Sequence, residues 1–105
     1  MTTVDKREHI KALKSHPTPS EEAYYQLLYD IDDLKTDYRV YMTTAPVNCD
    51  EELKRLPNAD YDLCCAFLTM LLREDHFCNG SFEKRYHDGQ VEPILDRMIE
   101  LLGKK

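Results

Sequence analysis

A ten-residue run at positions 63–72 is almost entirely apolar, and it limits the folds open to this chain of 105 residues. Nine of its ten residues are apolar, and Thr69 is the exception. A helix that is apolar on nearly all sides has to be covered by other elements. The run is also too short to cross a bilayer, which takes about 20 residues. We therefore predict a buried central helix over residues 61–73.

Apolar residues recur at helical spacing before this run. A first helix is predicted to end before His16. A second is predicted to begin at a capping box in which Thr18 accepts a hydrogen bond from a first-turn amide. A short third helix is predicted to begin at Asn48, which opens another capping box. The central helix is predicted to take its N-cap from Asn58 or Asp60.

The sequence after the run predicts two more helices. A short one begins at Ser81 and ends near Gly89, and the last covers residues 91–102 and stops at Gly103. The last helix is expected to pack on the central one. Because the sequence has no repeat and no linker, we predict a single mainly α domain over residues 1–105, with five to six helices around the buried central helix.

Residues 35–46 carry an ambiguous pattern. Tyr38, Val40 and Met42 alternate with more polar residues, as in a half-buried strand. No second strand-like segment is available, and a lone strand leaves its backbone groups unsatisfied. We therefore predict a helix that ends before Ala45, with strand pairing between two molecules as the alternative.

The charge of the chain is concentrated in its middle. Residues 17–62 carry four basic and eleven acidic side chains, and the whole chain has a net charge of −6. No basic stripe is present, so nucleic-acid binding is not expected. Residues 1–15 lack the apolar core of a secretory signal, so a cytoplasmic protein is expected, without a membrane anchor.

Neither a metal nor a cofactor is expected. The acids at 30–37 and 50–52 lack the glycine turn of a calcium loop, and those at 50–52 are expected to complement a helix dipole. His76, Cys78 and His87 lack the C-x₂₋₄-C spacing of zinc sites. The chain has four cysteines, Cys49, Cys64, Cys65 and Cys78. All four are expected to be free thiols, with Cys64 and Cys65 buried in the central helix.

The segment from Arg73 to Gly80 is the richest in reactive groups. In a functional interpretation, Asp75 orients His76, Arg73 holds an anionic ligand, and Cys78 lies near His76 as a nucleophile. In a structural interpretation, which we favour, Arg73 and Asp75 end the central helix and form ion pairs at the rim of the core. The expected partners are Arg97 on the last helix, or, for Arg73, Asp75 itself or Asp96. Phe77 and Phe82 then seal the core, and Gly80 adopts a positive φ. No nucleophile elbow and no phosphate-binding loop is present, so an enzyme is not favoured.

Tyrosines are concentrated in the acidic half of the chain. Tyr24, Tyr25 and Tyr29 fall within one predicted helix. Tyrosine is frequent in protein–protein contacts, but it also lines the rims of cores. These three residues are therefore candidate contact residues of an acidic, tyrosine-bearing surface.

The C-terminal forty residues resemble a family of small bacterial and phage-borne proteins classed as a domain of unknown function. The family's motif is a leucine-rich helix ending in Leu-Thr-x-Leu-Leu-Arg-x-Asp-Arg-Phe-x-x-Gly, followed by an Ile-Leu-x-Arg-Leu helix. Here His76 replaces the usual Arg, and Met98 replaces a Leu. The first half of the chain matches only through the aromatic residues around 24–29. The resemblance implies a fold and a compartment but no reaction. The matching residues are Leu68, Thr69, Leu71, Leu72, Arg73, Asp75, Phe77, Gly80, Gly89, Ile94, Leu95 and Arg97.

Three functions are consistent with these observations. The first is a protein-interaction or regulatory module that uses the acidic tyrosine-bearing surface to bind a protein partner, with a homodimer left open. The second is a ligand-binding or hydrolytic domain centred on Arg73, Asp75, His76 and Cys78. The third is an acidic, phage-type inhibitor of a nucleic-acid-handling enzyme.

Overall fold

The computed structural model describes residues 2–15 and 20–103. These residues form six α-helices and two 3₁₀ turns, and none of them lies in a β-strand. No helix within these two ranges is long and apolar enough to span a membrane. The all-helical fold is therefore confirmed. The helices are α1 (Thr3–Ser15), α2 (Glu21–Asp30), α3 (Cys49–Leu53), α4 (Tyr61–Phe77), α5 (Ser81–His87) and α6 (Glu92–Gly103), with 3₁₀ turns at Tyr38–Tyr41 and Leu56–Asn58.

Helix α4 is the buried central helix that the apolar run predicted. Every residue from Cys64 to Leu72 is buried, and α2, α5 and α6 all pack against this helix. The Asp60 carboxylate accepts a hydrogen bond of 2.8 Å from the Leu63 amide, so the N-cap is Asp60. The helix continues one turn beyond the predicted end, to Phe77, which extends it past the edge of the core.

Thr69 connects the centre of α4 to the segment that follows α2. Its hydroxyl donates to the Cys65 carbonyl at 2.9 Å and accepts the Lys35 amide at 3.3 Å. A buried hydroxyl is tolerated in an apolar helix when both its donor and its acceptor are used. This contact brings the chain onto α4 just before the first 3₁₀ turn.

Helix α6 packs on α4 as predicted, and it also packs closely on α1. Its buried face consists of Ile94, Leu95 and Met98. Arg97 donates to the Ala59 carbonyl at 3.0 Å, while Asp96 pairs with Lys14 of α1. Asp96 and Arg97 are therefore both used away from the end of α4, where ion pairs with Arg73 or Asp75 were expected.

The helix starts agree with the predicted caps where the structure describes them. The Asn48 side chain accepts the Glu51 amide at 3.1 Å, which confirms the capping box of α3. Helix α5 begins at Ser81 after Gly80, whose φ of +89° is the expected positive value. The predicted cap at Thr18 lies outside the described residues.

The helix predicted for residues 35–46 is wrong. This segment contains only the 3₁₀ turn Tyr38–Tyr41, and the backbone then becomes extended at Met42, with ψ of 154°. The amides of Thr43 and Thr44 donate to the carboxylate of Glu52 rather than to carbonyls of a helix of their own. The carboxylate of Glu52 has thus taken the place of the carbonyl acceptors that a local helix would have provided.

Candidate binding groove

A groove lies between the first 3₁₀ turn, the loop 42–48 and the C-terminal half of α4. It consists of a larger hollow of about 530 Å³ and an adjoining hollow of about 440 Å³. We call the two hollows together the α4 groove. Both are lined by Tyr38, Arg39, Arg73 and Phe77.

Large apolar side chains are exposed at this groove. Phe77 is 77% exposed, and Val40, which lines the smaller hollow, is 74% exposed. Phe77 was expected to seal the core together with Phe82, but only Phe82 is buried. The extra turn of α4 carries Phe77 beyond the core, four residues after Arg73 and on the same face of the helix. Exposed apolar side chains that lie side by side mark contact surfaces.

Two arginines in the groove lack a carboxylate partner among the residues that the structure describes. Neither Arg39 nor Arg73 forms an ion pair or a side-chain hydrogen bond with any described residue. The Arg39 guanidinium lies 5.9 Å from the centre of the Tyr38 ring. Arg73 lies close enough to Tyr25 that its charge opposes the rise in the Tyr25 pKa that burial causes. The expected pairing of Arg73 with Asp75 or Asp96 is therefore wrong.

One wall of the groove is fixed by a buried carboxylate. Glu52 is fully buried, and it accepts the amides of Thr43 at 3.0 Å and Thr44 at 2.7 Å. It also accepts both threonine hydroxyls and the Arg55 guanidinium, the latter at 2.7 Å. Arg55 in turn donates to the Tyr41 carbonyl. We call Thr43, Thr44, Glu52 and Arg55 the Glu52 clamp.

The Glu52 clamp keeps its carboxylate charged. Burial alone raises the pKa of Glu52, but the hydrogen bonds from Thr44, Arg55 and the two amides outweigh it and lower the pKa to about 2. Glu52 was expected only to complement a helix dipole, so its role as the anchor of the loop 42–48 was missed. Because Thr44 belongs to both the clamp and the groove lining, the clamp holds this wall of the groove in place.

The next side chain of α4 is fully paired, unlike Arg73. Glu74 accepts two hydrogen bonds from Arg85 of α5, at 2.5 Å and 2.8 Å. Arg85 also donates to Asp50 at 2.9 Å and to Gln90 at 2.8 Å. The guanidinium lowers the pKa of Glu74, so this carboxylate remains charged and neutralised at the edge of the larger hollow.

Asp75 points away from the groove and into the turn between α4 and α5. Its carboxylate accepts the amides of Gly80 at 3.1 Å and Phe82 at 3.0 Å. Burial opposes its charge, but hydrogen bonds from Glu21 and the turn amides keep the pKa of Asp75 below its usual value. The same contact with Asp75 raises the pKa of Glu21. Asp75 is thus a turn-forming residue that ties α2 to this turn.

The structure does not bring the four residues of the hydrolytic hypothesis together at one site. Arg73 and Cys78 line the larger hollow and His76 the smaller one, while Asp75 is held by the turn. His76 therefore lacks the orienting carboxylate that a general base needs. Among the described residues, no group of three His, Cys, Asp or Glu side chains is placed to hold a metal ion.

The candidate tyrosines are spread over different environments. Tyr24 is 1% exposed and packs on Phe82, with 4.9 Å between ring centres, so it belongs to the core and offers no contact surface. Tyr25 is half-buried next to Arg73, and Tyr29 is 75% exposed. Tyr61 donates its hydroxyl to Asp33 at 2.5 Å. Tyr24 is therefore not part of an exposed tyrosine-bearing surface, and Tyr61 is used within the chain.

Much of the acidity of the middle segment is neutralised within the chain. Its carboxylates pair with lysines and arginines from α1, α5 and the loops. The pairs are Asp33 with Lys6, Asp62 with Lys35, Glu51 with Lys54, Glu52 with Arg55, and Asp50 with Arg85.

Sequence reasoning missed Phe77, Val40 and Arg39 as surface residues of a site. The available signal was the position of Phe77 after the last buried residue of α4, which places it where the helix leaves the core. Arg39 gave no such signal, because its place beside Arg73 depends on how the 3₁₀ turn packs on α4.

Comparisons with known proteins identify the family and nothing closer. No curated protein and no solved structure matches the chain significantly. A family profile described as a family of unknown function, DUF6508, matches residues 5–104. This match extends over the first half of the chain, where the resemblance from the sequence was vague. The chain therefore belongs to the family of unknown function DUF6508.

Proposed function

We propose that the protein is a small protein-binding module that acts through the α4 groove. The observation that carries this proposal is the exposure of Phe77 and Val40 beside two arginines that form no ion pair with any described residue. Aromatic residues and arginine are enriched at the centres of protein interfaces. The groove is a better candidate than the acidic tyrosine-bearing surface, because Tyr24 is buried and many of the acids are already paired.

The setting of the groove supports the same proposal. The loop 42–48 is held by the Glu52 clamp, so one wall is already in place before a partner arrives. A wall that does not need ordering lowers the entropic cost of binding. The other wall belongs to α4, which is anchored in the core.

We also propose that the module works in the cytoplasm of a bacterial host. The four cysteines are free thiols in the structure, which is typical of reducing compartments. The match of the α4–α6 motif to the bacterial and phage family pattern supports a bacterial source. Fractionation of the native host, with the protein followed by immunoblot, tests the compartment.

The proposed function is tested by selection from a random-peptide display library on the immobilised protein. Peptides enriched on the native protein are then measured against Phe77→Ser and against Val4→Ser. Val4 is also largely exposed, at 67%, but it lies on α1 outside the groove. The enriched peptides are expected to lose binding to Phe77→Ser and to keep it with Val4→Ser.

Thermal melting by circular dichroism accompanies the binding measurement. Because the Phe77 side chain is largely exposed and contributes little to the core, the Phe77→Ser variant is expected to have a melting temperature close to that of the native protein. Peptides that bind native protein and a well-folded Phe77→Ser variant equally would overturn the proposed function.

A further inference from the structure

We propose that the α4 groove binds a short acidic segment of a partner protein. The segment's carboxylates pair with Arg39 and Arg73, and an apolar side chain packs against Phe77. This inference rests on the proposed function and adds the chemistry of the partner.

The two arginines are the cationic half of this interaction. Other basic side chains near the groove are used within the chain, since Arg55 binds Glu52 and Arg85 binds Glu74. Arg39 and Arg73 form no such pair with any described residue. A guanidinium presents a planar fork of N–H donors that matches a carboxylate. The two guanidiniums are therefore available to external anions.

The carboxylates at the groove offset this charge only in part. Glu74 lines the larger hollow, but Arg85 holds it through two hydrogen bonds. Asp37 lines the smaller hollow and is exposed to solvent. His76 lies in the same hollow. The groove is thus locally positive in a chain whose net charge is −6.

Because the groove is locally positive while the whole chain is negative, the groove favours a short anion over a long one. Electrostatic interactions at physiological salt reach about 8 Å. A long polyanion such as a nucleic acid extends beyond the groove along a chain whose net charge is −6, and this net charge repels it. A peptide segment with a few carboxylates places its charge only on Arg39 and Arg73. The charge pattern therefore favours a protein partner over a nucleic acid.

The apolar part of the groove explains why the segment needs an apolar residue as well. Phe77 and Tyr38 contribute to both hollows, and Val40 lines the smaller one. Ion pairs at a surface contribute little by themselves, and apolar burial supplies most of the affinity. An apolar side chain that covers Phe77 also shields the neighbouring ion pairs from water, which strengthens them.

The test is the peptide selection repeated on a charge-reversed protein. Peptides selected on the native protein are expected to carry Asp or Glu next to an aromatic or aliphatic residue. The double variant Arg39→Glu/Arg73→Glu is expected to bind them at least about tenfold more weakly. Selection on this variant is expected to enrich basic peptides instead. The control Lys11→Glu/Lys84→Glu makes the same change in net charge outside the groove and is expected to bind like the native protein.

The outcomes separate this inference from the proposed function. Uncharged peptides that still require Phe77 would overturn the acidic partner and leave the proposed function standing. A loss of Phe77 dependence would overturn the proposed function itself. Self-association that Arg73→Glu abolishes would identify a second copy as the occupant, and binding of single-stranded RNA that requires the two arginines would identify a nucleic acid. Either of these results would also overturn the inference.

Discussion

The Glu52 clamp and the α4 groove both include residues of the loop 42–48. They differ in their charged side chains, which are paired in the clamp but lack a carboxylate partner among the described residues in the groove. In the clamp, a fully buried carboxylate is satisfied by two amides, two hydroxyls and Arg55. In the groove, Arg39 and Arg73 have no carboxylate partner within the described residues, and Phe77 is largely exposed. Buried groups of this kind hold a fold together, whereas unpaired exposed groups are free to bind. The substitutions below test this division.

The largest effect is expected for Glu52→Ala. The change leaves Arg55 and the amides of Thr43 and Thr44 without their shared acceptor. Removing one member of a buried pair costs on the order of 3–5 kcal/mol, which lowers the melting temperature by roughly 15–25 °C. The matched control is Glu51→Ala, because Glu51 is exposed and pairs only at the surface with Lys54. Equal melting temperatures for the two variants would contradict the clamp.

Acid is expected to weaken the same clamp. The pKa of Glu52 is lowered to about 2 in the folded protein, from an ordinary value of 4.5. Its contribution to stability is therefore present above pH 4.5 and is lost as the pH falls toward 2. Native protein should be more stable than Glu52→Gln at neutral pH, and the difference should shrink across this window in urea titrations. A difference that stays constant from pH 7 to about pH 2 would contradict the lowered pKa.

A smaller loss of stability is expected for Arg85→Ala. Arg85 is mostly buried and holds Glu74 and Asp50, so its removal leaves Glu74 half-buried and unpaired. Hydrogen bonds to charged groups contribute about 1.5–3 kcal/mol, and a loss of this size is expected in chemical denaturation. Lys84→Ala, at the exposed neighbouring position, serves as the control and should remain within about 0.5 kcal/mol of the native protein.

Arg73→Ala is expected to change the stability least among the arginine variants. Arg73 lies one residue before Glu74 on α4, yet it has no partner in the described chain to lose. Its removal should cost about 0–1 kcal/mol. Peptide binding to the groove should nevertheless be weakened, by less than in the double variant Arg39→Glu/Arg73→Glu. A drop in melting temperature comparable to that of Arg85→Ala would mean that Arg73 supports the fold and not the groove.

Labelling of the cysteine thiols tests which parts of the groove and of the core are accessible, and it needs no substitution. Cys78 is exposed at the end of α4 and lines the groove, so it should react first with a bulky maleimide. Burial, with a smaller contribution from Glu74, raises the pKa of Cys49 to about 12, so it should react more slowly. Cys64 and Cys65 are fully buried with pKa values also raised to about 12, and they should stay protected until the protein unfolds. Mass spectrometry of timed samples gives the order, and early labelling of Cys64 would contradict the buried α4.

The helices and their caps could be predicted because their causes are local. The apolar run at 63–72 predicted α4, and the caps at Asn48 and Asp60 were among the predicted starts. A cap joins residues only two or three positions apart, and a helical stripe repeats every turn, so both are visible in the sequence. The burial of Cys64 and Cys65 followed from the same run.

The segment 35–46 could not be predicted in this way. Its alternating residues suited a strand or a helix, and the outcome depended on Glu52, whose carboxylate took the amides of Thr43 and Thr44. The sequence around Glu52 resembles an ordinary acidic first turn of a helix. Only the packing of α3 under the loop 42–48 buries this side chain and makes it an anchor.

The sequence by itself determined that this chain forms a helical domain around α4, because burial of the run at 63–72 leaves few other solutions. The tertiary structure alone decided which charges are paired and which are free. Arg85 pairs with Asp50 across 35 positions of the chain, whereas Arg73 forms no ion pair with any described residue although Asp75 is two residues away. Ion pairing depends on the direction of side chains in space, and Asp75 points into the turn before α5 while Arg73 points into the groove.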